Sequence, residues 1–239
     1  KTFDIHYEET IKSINNSIKA NKVVDLEVIS VISKGKKSEV FKFLDSNLNC
    51  RSIVRIGEDS SLFNAMNIGV KYSSYKYVWF VNSGDFVYKK IDLKTFISDL
   101  KKTNYDFISF SIINTFFDLS YLRTPKYNST PHQGFICLRH LYVTSPLDEN
   151  KISSDHLFMQ SIIMNKKLIG KFLDQPIATF NNYGLSSLPK MKNINSIKNE
   201  TSFFKIKFVI KLILCEIIGD RNFLFFINEI IHTRKRLSP

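Results

Sequence analysis

EDSSLFNAMNIGVKYSSYKYVWFVNSGDFVY, Glu58 to Tyr88, is the stretch whose reading decides the fold. The spacing of apolar residues predicts a helix over Leu62 to Tyr72 and a strand over Tyr77 to Asn82. That strand is apolar on both alternating sets of side chains, the pattern of a central strand covered on two faces in a layered α/β sheet. Asn82-Ser83-Gly84-Asp85 follows it directly, so a carboxylate and exposed amides sit at the strand's carboxyl end, where open α/β sheets bind ligands. Asp85 can hold a hard divalent cation there, with diphosphate oxygens completing its shell. The same four residues also read as a plain turn, since Gly and Asp are common turn formers.

Working outward, Ile11, Ile14 and Ile18 lie on one face of a helix over Glu8 to Ala20, and Leu26 to Ile32 reads as a β-branched strand. A turn at Lys34 to Lys37 leads into a helix capped by Ser38, and Ser52 to Ile56 is the next strand. Leu93 to Lys102 reads as a helix and Asp106 to Ile113 as a strand, so the first half repeats strand and helix. This alternation predicts a Rossmann-like α/β fold with a mainly parallel central sheet and helices on both faces. After Asn114 the signal weakens to a polar loop around Arg123 to Pro131, a short strand Phe135 to Leu138 and a helix over Asp155 to Met164. From Lys198 the chain turns apolar and basic. The expected division is therefore a catalytic domain over 1–197 and a helical extension over 198–239.

The chain has 239 residues, with 34 Lys and Arg against 22 Asp and Glu, a formal net charge of +12. At 44% hydrophobic and 23% charged residues it has the composition of a folded globular protein, which excludes disorder, a collagen and a disulfide-stapled miniprotein. Cys50, Cys137 and Cys215 are too far apart for a paired metal or redox motif and read as reduced thiols of an intracellular protein. Lys205, Lys207 and Lys211 interrupt the most apolar segment, so no membrane span is expected, and the start of the chain carries no signal-peptide pattern. The positive charge calls for an acidic partner. A nucleic acid is permitted by charge alone, but no recognised nucleic-acid module appears, and none is expected as partner.

Asp59, Phe63, Ala65-Met66-Asn67-Ile68-Gly69 and Asn82-Ser83-Gly84-Asp85 together resemble the donor-site signature of family 2 glycosyltransferases of the GT-A fold, of the bacterial surface-polysaccharide type. The resemblance implies that Asp85 ligates Mn²⁺ or Mg²⁺ and that Asp59 and Asn67 line the nucleotide-sugar pocket, with the helix of Met66 behind it. It implies donor contacts from Asn82, Ser83 and Gly84, and also from Thr2 and Asp4, which resemble the end of the family's first strand. That strand is then expected upstream of Lys1. Downstream, His132-Gln133, Leu147-Asp148-Glu149 and Ser154-Asp155-His156 resemble the acceptor-side elements in the right order. By this likeness Asp155 is the general base and His132, Gln133 and His156 line the acceptor site, with Gly184 and Ser186 in a closing loop. Read without the family, Asp155 is equally a helix N-cap.

The implied activity is inverting, metal-dependent transfer of a sugar from a nucleoside-diphosphate sugar, a UDP-sugar, to a saccharide acceptor carried on a lipid, in O-antigen, capsule or similar synthesis. One feature departs from the pattern: Ser33-Lys34-Gly35 stands where the family has an aspartate against the uracil ring. An inactive GT-A domain that binds a sugar or a partner is the alternative that this departure raises. Phe203 to Ile231 with Arg234-Lys235-Arg236 reads either as a helical pair on an anionic membrane surface or as ordinary packed helices with a solvated basic end. The first reading places the protein on the cytoplasmic face of the bacterial membrane.

Overall fold

The computed structural model describes residues 5–181, apart from 23–24, 33–36, 57–60, 117–118, 128–129 and 152. The chain divides into two compact units, of which Lys1–Glu149 with Ser154–Asn181 holds every element named below. Thr2, Asp4, Asp59, Gly184, Ser186 and the whole segment 198–239 lie outside the described residues.

Helix α1 (Ile5–Asn21) leads into β1 (Glu27–Ile32), α2 (Lys37–Asn47) and β2 (Arg51–Ile56). The two strands pair in parallel, Glu27 opposite Arg51 through Ile32 opposite Ile56. Next come α3 (Leu62–Tyr72), β3 (Tyr77–Trp79), β4 (Phe86–Val87), α4 (Leu93–Lys102) and β5 (Phe107–Phe116). The chain then forms β6 (Leu119–Arg123), β7 (Phe135–Leu138), α5 (Arg139–Thr144), α6 (Ser154–Met164) and β8 (Gly170–Asn181). Six strands make the larger sheet in the order β3-β7-β5-β8-β4, with β6 beside β5.

Local chemistry accounts for the helices that frame the site. Ser61 caps α3 by accepting from Asn64 N–H at 3.0 Å, and Phe63, Met66 and Val70 point inward at helical spacing. At its other end Arg139 donates from Nε to the Val70 carbonyl at 3.1 Å, a cation on carbonyls that the helix leaves unpaired. Asp92 caps α4 through Thr95 N–H at 2.9 Å. Adjacent strand residues feed opposite faces of the larger sheet. Phe107, Phe135 and Cys137 pack with α3, α5 and α6, while Ile108, Ile136 and Ile112 pack with α4. A third cluster joins Ile11 and Ile18 of α1 to Val40 and Leu44 of α2 and Val54 of β2.

The α/β class stands, but the sheet differs from the sequence reading in direction. Among the described residues β1/β2 and β5/β8 are parallel, whereas β3/β7, β5/β7, β5/β6 and β4/β8 are antiparallel. Apolar periodicity marks a strand without giving its direction, and β7 returns through a loop rather than over a crossover helix. The strand expected over Tyr77 to Asn82 is paired only to Trp79, and its side chains are half-buried. The fully buried strand is Phe135 to Leu138 instead. Ser38 lies inside α2 rather than ahead of it. The polar stretch expected as loop begins within β6, and the twelve residues of β8 carry no regular alternation by which to find them.

Candidate active site

The Asn82–Asp85 turn is tied at both ends. Asp85 N–H donates to the Asn82 carbonyl at 3.0 Å, and Asn82 N–H donates back to Asp85 Oδ2 at 3.3 Å. Gly84 takes φ 92°, a left-handed backbone that side chains with a Cβ adopt at a cost of about 1 kcal/mol. Helix α1 holds the turn from below: Gly84 N–H donates to Thr10 Oγ1 at 2.9 Å, and Val87 N–H to Ser13 Oγ at 3.1 Å. Thr10 is one of three polar residues that α1 buries, with Asn15 and Ser17, and its hydroxyl meets the turn. Asp85 itself is 3% exposed. Burial pushes its carboxyl up to about 6, against the electrostatic pull of the nearby His132 ring, the Asn82 N–H and the Gln133 side chain.

Sheet register brings His132 and Gln133, which the family resemblance assigned to an acceptor site, to this turn. Trp79 pairs with Ile136, so the chain running on from β3 to Asn82 travels beside the chain entering β7, where His132–Gly134 forms a single 3₁₀ turn. Trp79 Nε1 donates to the Gln133 carbonyl at 2.7 Å. Gly134 lies so close to β5 that a Cβ would stand 2.4 Å from the Phe110 carbonyl oxygen, which makes glycine obligatory there. The 3₁₀ turn thereby sets His132 between two partners. Its Nε2 is 2.9 Å from Asn82 Nδ2 and its Nδ1 is 2.7 Å from Asp155 Oδ2. Asp155 stands in the first turn of α6, and its Oδ1 accepts from His156 N–H at 2.8 Å. Burial works to raise the Asp155 carboxyl, but the hydrogen bond from His132 and the His156 N–H, with the electrostatic pull of the two rings, outweigh it. The group is held below the ordinary carboxylate value.

The structure thus brings Asn82, Asp85, His132, Gln133 and Asp155 into one hydrogen-bonded cluster. Ser83 and His156 are exposed, and His156 reaches Asp155 through its backbone. Met66 is part of the core between α3 and the sheet. Asn67 is committed to the chain ahead of α6: its Nδ2 donates to the Leu147 carbonyl at 2.9 Å, and its Oδ1 accepts from Leu147 N–H at 3.0 Å. Asn64 Nδ2 adds a bond of 2.9 Å to Glu149 Oε1. The Ala65-Met66-Asn67 helix therefore clasps the Leu147-Asp148-Glu149 segment. Thr10 and Ser13 escaped the sequence reading, and their only signal is two small hydroxyls three residues apart on the buried side of an amphipathic helix.

Asp85 has the character of a hard-cation ligand: a buried carboxylate to which no ion pair is formed among the described residues. Among those residues no group of three or more His, Cys, Asp and Glu is placed to hold a metal ion. An all-protein cage is thus not what these residues offer. Single-carboxylate ligation with phosphate oxygens, the mode open to Mg²⁺ and Mn²⁺, fits the residues present.

A mixed sheet covered by helices on both faces, with a carboxylate turn at the end of β3, defines the chain as a GT-A fold. Among solved structures it is similar to S. aureus TarS, a GT-A glycosyltransferase. Against residues 1–349 of TarS in complex with UDP-GlcNAc the TM-score is 0.55 at 15% identity, over 75% of this chain and 56% of that one. With the UDP complex of the same fragment it is 0.53 at 12% identity, over 85% and 66%. A longer TarS structure gives 0.54 at 14% identity, over 88% of this chain and 41% of that one. The chain thus spans between 41% and 66% of the length of these TarS chains. No protein-family model and no curated protein matches it in sequence.

Proposed function

We propose that the protein is an inverting, metal-dependent glycosyltransferase that moves a sugar from a nucleoside-diphosphate sugar, a UDP-sugar, to a hydroxyl of a saccharide acceptor. The observation that carries this reading is the Asp155 carboxylate, held ionised by His132 and joined through it to the Asn82–Asp85 turn. An acceptor hydroxyl is a poor nucleophile until a positioned base takes its proton. Asp155 takes that proton as the hydroxyl oxygen attacks the anomeric carbon, and the nucleoside diphosphate leaves from the opposite face, which inverts the centre. A divalent cation held by Asp85 would supply neutralisation of the charge that develops on the leaving diphosphate. An inactive sugar-binding domain would have no use for a shielded carboxylate kept charged in this way.

The acceptor is proposed to be a lipid-linked saccharide of a bacterial O-antigen, capsule or similar surface polymer, reached from the cytoplasmic face of the membrane. The +12 net charge and the apolar, basic segment from Lys198 support this placement. Among the described residues no helix is long and apolar enough to cross a membrane. The test is a thermal-shift panel of nucleoside diphosphates with and without Mn²⁺. A shift with UDP that requires the metal is expected, because a ligand of the native state raises its apparent stability. No shift with any nucleoside diphosphate would remove the reading. Deleting the chain after Lys198 is expected to weaken binding to anionic vesicles, and unchanged binding would remove the membrane placement.

A further inference from the structure

We propose that His132 is a positioning residue for Asp155, with Asn82 setting its tautomer, so that the donor-side turn and the base form one hydrogen-bonded unit. The proposal rests on the function given above and assigns His132 to the base rather than to the acceptor sugar. Its ground is the chain of contacts: Asn82 Nδ2 at 2.9 Å from His132 Nε2, and His132 Nδ1 at 2.7 Å from Asp155 Oδ2. An amide nitrogen can only donate, so Nε2 facing it must be the bare, accepting nitrogen. The ring proton is then on Nδ1 and is donated to Asp155. In this neutral tautomer both ring nitrogens are engaged, and neither is left to take the acceptor's proton or to bind its hydroxyl.

Each Asp155 oxygen spends one acceptor position on the protein, Oδ2 on His132 and Oδ1 on His156 N–H at 2.8 Å. A carboxylate has about four such positions, so each oxygen keeps one for the incoming hydroxyl. Two fixed donors from two different chain segments pin the plane of the carboxylate. Asn82 is pinned in turn, because its backbone N–H and carbonyl both bond Asp85 within the turn that α1 supports. Any ligand that shifts the Asn82–Asp85 turn therefore moves His132 and the base with it.

Two substitutions divide the role of His132. In His132→Asn the amide nitrogen falls near the place of Nδ1 and keeps a donor to Asp155, while in His132→Gln it falls near Nε2 and loses that donor. The expected result is a loss of kcat under about tenfold for His132→Asn and of about 10²-fold for His132→Gln, with the KM for acceptor within about threefold in both. Equal losses in the two variants, or a loss carried by acceptor KM, would overturn the proposal. Independently of activity, ¹⁵N-histidine NMR of the whole chain, with His132 assigned by replacing the other four histidines one at a time, is expected to show Nδ1 protonated and Nε2 bare. Asn82→Ala is expected to mix the tautomers. A ring protonated at Nε2, or unmoved by Asn82→Ala, overturns the proposal even if both variants at 132 fail to fold. Absence of sugar transfer by the wild-type chain would instead sink the function reading and leave the tautomer result to decide the hydrogen-bonded unit.

Discussion

Asp85 and Asp155 are two carboxylates of one hydrogen-bonded cluster, joined through Asn82 and His132, and their surroundings drive them in opposite directions. Asp85 is buried with hydrogen bonds from Asn82 and Gln133 but no paired cation among the described residues, and its carboxyl is raised to about 6. Asp155 has a histidine at 2.7 Å and a backbone N–H at 2.8 Å, and its carboxyl is lowered. The difference teaches that a carboxylate whose burial outweighs its donors is prepared to receive a proton or a cation, whereas one less buried and bonded closely by a histidine stays charged and able to take a proton in the reaction. On the proposed reading, these two devices build the donor side and the acceptor side.

The most severe way to break the contrast is to remove the proposed base. Asp155→Asn is expected to lower kcat for transfer by about 10²- to 10⁴-fold, with UDP binding unchanged by calorimetry. Full activity in this variant would place the base elsewhere. Asp85→Asn is expected to abolish the metal dependence of the UDP thermal shift and, in metal-free protein, to raise stability. A folded-state value about two units above the ordinary one means that charging Asp85 costs about 3 kcal/mol. That penalty is absent below the ordinary value near 3.8, grows as pH rises and is complete above about 6. The gain in urea denaturation should accordingly be full at pH 8 and vanish near pH 4. Asp155→Asn should tilt the profile the other way. Its lowered carboxyl stabilises the fold above the ordinary value, and the advantage is lost as pH falls through the folded one, so the variant's deficit should shrink in acid. Matching slopes for the two variants would erase the contrast.

A gentler perturbation starts at the turn and leaves the Asn82 side chain in place. Thr10→Val leaves the Gly84 N–H without its acceptor and is expected to cost about 1–3 kcal/mol in urea denaturation and to weaken metal-dependent UDP binding, while the His132 tautomer persists. A collapse of the His132 NMR signature in this variant would show that Asn82 holds the ring only while α1 anchors the turn.

Much of this was legible along the chain. The bounds of α3 and α4 follow from their apolar spacing and from Ser61 and Asp92, because capping and amphipathicity are properties of neighbours in sequence. The candidate residues on both sides were legible through their resemblance to a family's motifs in order. Other features could not be read locally. Strand direction depends on the route of the connection, the length of β3 on where its partner β7 begins, and the value of Thr10 on a glycine 74 positions away. The use of Asn67 as a clasp for Leu147, 80 positions on, also has no local signal.

By itself the sequence determined which residues could do chemistry: a glycine-bearing turn with Asp85 after an apolar strand, and Asp155 at the start of a helix. Only the tertiary structure decided what state each carboxylate is in. Charge in a protein answers to distance and to exclusion of water, and both are set where β3 and β7 run side by side and bring Asn82 and His132, 50 residues apart, within 2.9 Å.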